Sequence, residues 1–287
     1  VIEVVHEAGS RYDAMAARLR SLVGDIEDHT APVIGLPLPE SPQVRLVTRG
    51  RWRAAYREHS ARLVQRLRAT ARLDLEQARV LHHHMRAHGR AFSEQWICVA
   101  AQILEAEDGT AQAFVIADTV HHVGTTDDSL RLTLAHELTH LAQHQATRGL
   151  VLDLAQSPFP HGDPPRAYHH VTEGHAMWAM RAIAEHAGWP AKGGRNRPTP
   201  TGTKLLAPHE EAREKLDAYY RAGGEFVRHL VEARGVAGVN TLWRRLDLVP
   251  TAEHIADPDS YLPVLDQAVA AGAGARPEIA HSVEAAS

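Results

Sequence analysis

The residues with the clearest chemical potential in this chain lie in one short run, Leu134-Ala135-His136-Glu137-Leu138-Thr139-His140-Leu141-Ala142. Imidazole is the commonest metal-binding side chain. Two of them four residues apart project from one face of a helix and can reach the same ion. Glu137 stands beside that face, where its carboxylate can take a proton from metal-bound water. Leu134, Leu138 and Leu141 supply an apolar side that would bury the helix. The chain holds 21 histidines, so the pair needs a third ligand before it means a site. A catalytic zinc takes three protein ligands and keeps one position for water.

Two arrangements place that third ligand differently. The metzincin pattern wants Gly three and His six residues beyond the second histidine; Gln143 and Ala146 stand there, which excludes it. The gluzincin pattern takes a Glu from a following helix. Glu173, in Val171-Thr172-Glu173-Gly174-His175-Ala176, offers it. Alone, Glu173 reads as a first-turn acid complementing a helix dipole; behind the histidine motif it reads as a ligand. Gly174 would let its helix lie close against the metal helix. His144 is expected beside the site or in solvent, and His175 points elsewhere, since helical neighbours diverge by about 100°. His82, His83 and His84 cannot share one helical face and are expected to be partly exposed.

The elements that must position these groups follow from periodicity. Apolar residues at helical spacing mark 11–28, 50 to about 92 (Trp52, Tyr56, Leu63, Leu67, Leu73, then Val80, Leu81, Met85 and Phe92) and 128–146, with Thr125, Thr126 or Asp127 as N-cap. Further helices are expected over 170–187, 208–234 and 236–246. Prolines between 31 and 43 predict an extended connector, and 157–166 and 191–203 read as loops able to cover a cleft. Trp96–Ala101 and Ala113–Ala117 read as strands around the Asp108-Gly109 turn. This predicts a mainly α, α+β fold: an N-terminal helical region (1–92), a core with the strands and both ligand helices (93–190), a C-terminal helical part (191–265), and a poorly ordered tail (266–287).

Composition bounds the partners. With 44% hydrophobic and 23% charged residues over 287 positions, the chain is ordinary for a globular protein. Its net charge of -4 makes it no general polyanion binder. One cysteine, Cys98, excludes an internal disulfide framework. No run approaches the ~18 apolar residues of a membrane span, and Val1–His6 lacks the features of a secretory leader, so a cytoplasmic setting is expected. Nine arginines between 45 and 72 face one acid, Glu58. They read as a solvated face pairing with the acidic remainder, and no nucleic acid is expected.

The motifs together resemble the zincin superfamily of metallopeptidases, gluzincin type. More narrowly they resemble an actinobacterial zincin-like family of zinc-dependent metalloproteases, also associated with deazaflavin-cofactor biosynthesis. The ordered matches are Val47, Arg49 and Trp52; the strand before the metal helix, Phe114 to Ala117; Glu173-Gly174-His175-Ala176; Tyr220, Gly223, Phe226 and Val227; and Val249-Pro250-Thr251 with Glu253, Ile255 and Pro258. The resemblance implies a helical scaffold with a small sheet whose edge strand, here 113–119, lies along the cleft and can take an extended peptide. Thermolysin-like members place an Asp four residues after the ligand Glu to orient a histidine; Met177 stands there.

The expected activity is hydrolysis by a zinc ion held on His136, His140 and Glu173, with its water activated by Glu137 against a peptide or amide carbonyl. Tyr220 is the candidate oxyanion donor, with Tyr168, His169, His170 and His254 as competitors. An amidase or esterase acting on a small metabolite, and a catalytically silent binding protein on the same scaffold, are the alternatives.

Overall fold

The computed structural model describes residues 1–70, 74–159, 161–162 and 164–271. Leu73 of the helical pattern, Arg72 of the arginine run, two positions of the 157–166 loop and the expected tail from 272 onward lie outside the described residues. Four short strands, β1 (Glu3–His6), β2 (Gln43–Val47), β3 (Ala101–Glu105) and β4 (Ala111–Ile116), form one sheet in the order β1-β2-β4-β3. The first three neighbours in that order run parallel, and β3 is antiparallel to β4. The helices are α1 (Asp13–Ile34), α2 (Arg49–Thr70), α3 (Leu75–Glu94), α4 (Ala117–Val123), α5 (Asp127–Thr147), α6 (Leu150–Gln156), α7 (Tyr168–His186), α8 (Pro200–Leu206), α9 (Glu210–Val239), α10 (Ala252–Ala256) and α11 (Pro258–Ala271). The result is the mainly helical α+β architecture expected of a zincin-like chain.

The edge strand needs correction. It is β3, not 113–119: β4 pairs on both sides, and the residues after Ile116 fold as α4. The Asp108-Gly109 turn does join the two, with Gly109 at φ 83°, a conformation glycine adopts without penalty. Trp96–Cys98 is a 3-10 turn, so the strand starts later than its apolar run. The proline-rich connector is also shorter than expected. Helix α1 continues through Pro32 until Gly35, at φ 62°, ends it, and Gln43–Val47 joins the sheet.

Successive strand residues face opposite sides. Val44, Leu46, Ile103, Ala113 and Val115 enter the larger core with α1 and α5, while Val47, Leu104, Phe114 and Ile116 meet Trp52 and Tyr56 of α2. The larger core continues without a break from Ile2 through Leu134 and Val171 to Tyr261 and Leu265.

A partly buried ionic group ties α2 to β3 and α6. Arg66 pairs with Glu105 and holds both oxygens of Asp153 at 2.9 and 2.7 Å. Beside it, the Glu105 N–H donates to His59 Nδ1 at 3.3 Å. Burial pushes His59 down from 6.5 to about 4. As pH falls the unfolded chain therefore takes up this proton first. The contribution to stability is complete above pH 6.5 and lost as pH falls to about 4. A shift of this size corresponds to ~3 kcal/mol. His59→Gln should flatten the decline of Tm across that window, and parallel melting curves for the two proteins would remove the assignment.

Candidate metal centre

Helix α5 is built to start where it does. The Thr126 side chain accepts the Ser129 N–H at 3.2 Å, and Asp127 and Asp128 occupy the positive first turn. The segment before α8, expected to be a flexible cover, is fastened here instead. Ser129 Oγ donates to the Gly194 carbonyl at 3.0 Å, and Asn196 Oδ1 accepts the Thr126 N–H at 3.2 Å. Leu134, Leu138 and Leu141 are fully buried, which turns His136 and His140 towards α7.

Glu173 reaches them from the second turn of α7. Its Oε2 lies 3.2 Å from His136 Nε2 and 3.6 Å from His140 Nε2, and the two imidazole nitrogens are 3.0 Å apart. A tetrahedral zinc with ligands at about 2.0–2.1 Å has edges of about 3.3 Å. The three separations bracket that value, so this donor set fits such an ion. It is the one group of three potential metal-ligating side chains, among the described residues, whose ligand atoms lie together.

The carboxylates of Glu137 and Glu173 make the pocket favour positive charge. Burial opposes the charge on His140, but Glu173 and then Glu137 outweigh it and raise its pKa. Burial likewise works against Glu173, yet His140 and His136 hold it well below the usual carboxylate range. Glu137 goes the other way: burial raises it despite the neighbouring imidazoles. The Ile103 backbone lies close enough to favour its charged form. The β3–β4 register, with Ala106 N–H donating to the Thr110 carbonyl and Ile116 N–H to Ala100, turns the Ile103 amide to the free edge. The edge strand thus touches the candidate base directly.

Met177 takes no part in orienting the histidines; Gln143 does this for His140. His140 Nδ1–H donates to Gln143 Oε1 at 2.8 Å, which leaves the Nε2 lone pair for a metal. The Gln143 amide nitrogen donates to the Thr172 carbonyl and to His175 Nδ1, both at 3.0 Å. His175 is completely buried, which pushes it down to about 3 and keeps it neutral between Trp178 and Trp243. Sequence reasoning passed over Gln143; its place three residues after His140, on the same helical face, is the signal that could have found it. Gln143→Leu should weaken metal binding by about 10- to 100-fold, measured by competition with a chelator. Unchanged affinity would leave the amide a packing role only.

Gly174 does not face the metal helix as expected. It meets Gly223 of α9, where an added Cβ would lie 2.4 Å from the Gly223 carbonyl carbon and oxygen. This contact brings Tyr219 and Tyr220 over Glu173. Tyr220 stacks on His136, with centroids 6.4 Å apart, and lies near the Glu173 carboxylate. Tyr219, which the sequence reading missed, shares its hydroxyl with His169 Nδ1 at 3.1 Å and stacks on His170 at 3.5 Å. Burial, then Glu173, pushes Tyr219 up to about 12 and raises Tyr220 as well, so both stay protonated. His169 approaches Glu173 at 4.0 Å.

The other candidates lie elsewhere. Tyr168 donates to the Leu246 carbonyl, His254 caps α10, and His144 turns to Glu105 at 3.7 Å. His82 and His83 are exposed and His84 half-buried.

Comparison with known proteins bears on the fold and on one segment of the chain. A family model described as zincin-like metallopeptidase matches residues 215–262, the stretch that includes Tyr220 and Gly223. A crystal structure described as "a putative hydrolase with a novel fold from Chloroflexus aurantiacus" superposes with a TM-score of 0.57 at 16% identity, covering 90% of this chain and 92% of that one. At that identity the likeness is one of fold. No curated protein matches the chain. His136, Glu137, His140 and Glu173, on this mainly helical scaffold, form a zincin-type metal site consistent with a hydrolase.

Proposed function

We propose that the chain is a zinc-dependent metallopeptidase of the gluzincin type. The observation that carries this is the convergence of His136, His140 and Glu173 at near-tetrahedral spacing, with Glu137 held beside them by the free edge of β3. Zinc, when bound, lowers the pKa of a coordinated water towards neutrality and polarises a carbonyl. Glu137 accepts the proton of the attacking water as the C–O bond forms and returns it to the leaving nitrogen as the C–N bond breaks. The protonated Tyr220 hydroxyl donates to the carbonyl oxygen as negative charge gathers there. Backbone groups of β3 align an extended peptide. The ordered motifs from Val47 to Tyr261 support grouping the chain with the actinobacterial zincin-like proteins.

Elemental analysis of the purified protein should find zinc, and His136→Ala should lose it. A peptide-library digest should give cleavage that a chelator abolishes and zinc restores. Zinc-loaded protein that cuts no peptide in the library would overturn the peptidase reading. Equal metal content in the parent and His136→Ala would overturn the site itself.

A further inference from the structure

The arginine run resolves into two populations. Arg45 and Arg51 pair with Glu7, Arg62 binds the Glu105 carbonyl, and Arg66 holds Glu105 and Asp153. Arg49 lies over the Trp96 ring, and Arg53 reaches the Ser93 carbonyl. Those side chains are absorbed by the fold, as expected of a surface balanced by acids. Arg57 and Arg68 of α2 are not, and neither are Arg86 and Arg90 of α3. Among the described residues no ion pair or hydrogen bond occupies these four guanidinium groups.

All four open into one groove between α2 and α3. It consists of two adjoining cavities of about 490 and about 410 Å³ that share Val64, His82, Arg86 and Arg90. Between the guanidinium groups its walls are apolar, from Ala61, Val64, Met85 and Gly89. One carboxylate, Glu94, lies at the Trp52 end. The crowding of cations is felt locally: burial first, then Arg49 and Arg57, lowers the pKa of Arg53. A chain of net charge -4 has concentrated unpaired cations from two helices around one apolar slot. The volume suits a small ligand, and guanidinium forks grip carboxylate, sulfonate or phosphate oxygens in pairs.

We propose that the α2–α3 groove is a binding site for an amphipathic organic anion, with an apolar body against Val64 and Met85 and an acidic head held by Arg57, Arg86 and Arg90. The apolar walls favour such a ligand over a polyanionic strand, which would gain nothing from them. The site is separate from the metal centre and does not depend on its chemistry.

Isothermal titration of the full chain with sodium dodecanoate, below its micellar range and at low salt, should give one saturable site. Dodecyltrimethylammonium, with the same chain and opposite charge, should give none. The Arg57→Ala/Arg90→Ala pair should weaken dodecanoate by about 10-fold or more. Arg57→Lys/Arg90→Lys, which keeps the charge but loses the paired guanidinium donors, should weaken dodecanoate by about threefold or more, and if the alanine pair misfolds, parent-like binding by this lysine pair overturns the proposal. Absence of saturable binding, equal binding of the cationic surfactant, or an alanine pair that folds and binds like the parent would each overturn the proposal. So would silence towards dodecanoate alongside steeply salt-dependent binding of a short single-stranded oligonucleotide, which would put a nucleic-acid strand in the groove.

Discussion

Glu137→Gln should keep its metal and lose hydrolysis by about a thousandfold. The substitution changes one oxygen to an amide nitrogen, so the side chain can still fill its buried position beside the Ile103 backbone. The ligand atoms belong to His136, His140 and Glu173 and are untouched. An amide cannot accept a proton from water at neutral pH, and loss of a positioned base costs about 10²- to 10⁴-fold. Metal per chain and kcat should therefore separate, the first constant and the second collapsed. A variant that hydrolyses at the parent rate removes Glu137 from the mechanism.

The second large effect is structural. Gly174→Ala should cost about 3 kcal/mol or more and disable the site with it. Alanine in a helix interior is ordinarily better than glycine by about 0.5–1 kcal/mol. Here the new Cβ meets Gly223 backbone carbon and oxygen at 2.4 Å, and no side-chain rotation can relieve a clash with main chain. Helices α7 and α9 must separate, carrying Glu173 away from Tyr220. Gly24, in α1, has no atom within 4 Å of its would-be Cβ, so Gly24→Ala is the control and should hold or raise Tm. If the two variants melt alike, the glycine contact does not brace the site.

Much of this was readable beforehand, for reasons that differ by residue. His136 and His140 declare themselves because helical spacing is local, and Glu173 follows from a pattern already known for such pairs. The strands were harder. β1 and β2 are short and pair with residues distant in the chain, and the alternation in Gln43–Val47 spans only five residues beside the prolines that argued for a connector. For the same reason β4 was mistaken for the edge: its second neighbour, β2, lies more than sixty residues upstream. Gly174 was rightly read as permitting a close approach, but its partner was misjudged, since a glycine does not name what comes near it. The role of Gln143 depends on how the His140 ring is turned, and Tyr219 owes its place to the α7–α9 contact. Neither is a property of local spacing. Of the proposed oxyanion donors, the structure brings Tyr220 and His169 to Glu173 and sends Tyr168 and His254 into structural bonds.

The link from His140 through Gln143 to His175 ends between two indoles, Trp178 and Trp243, whose ring centroids lie 5.6 and 5.0 Å from the imidazole. Indole emission responds to the polarity and motion of its immediate neighbours. The protein therefore carries its own chromophores two hydrogen bonds from the metal-facing histidine, and intrinsic fluorescence offers a label-free view of that histidine being taken up or released.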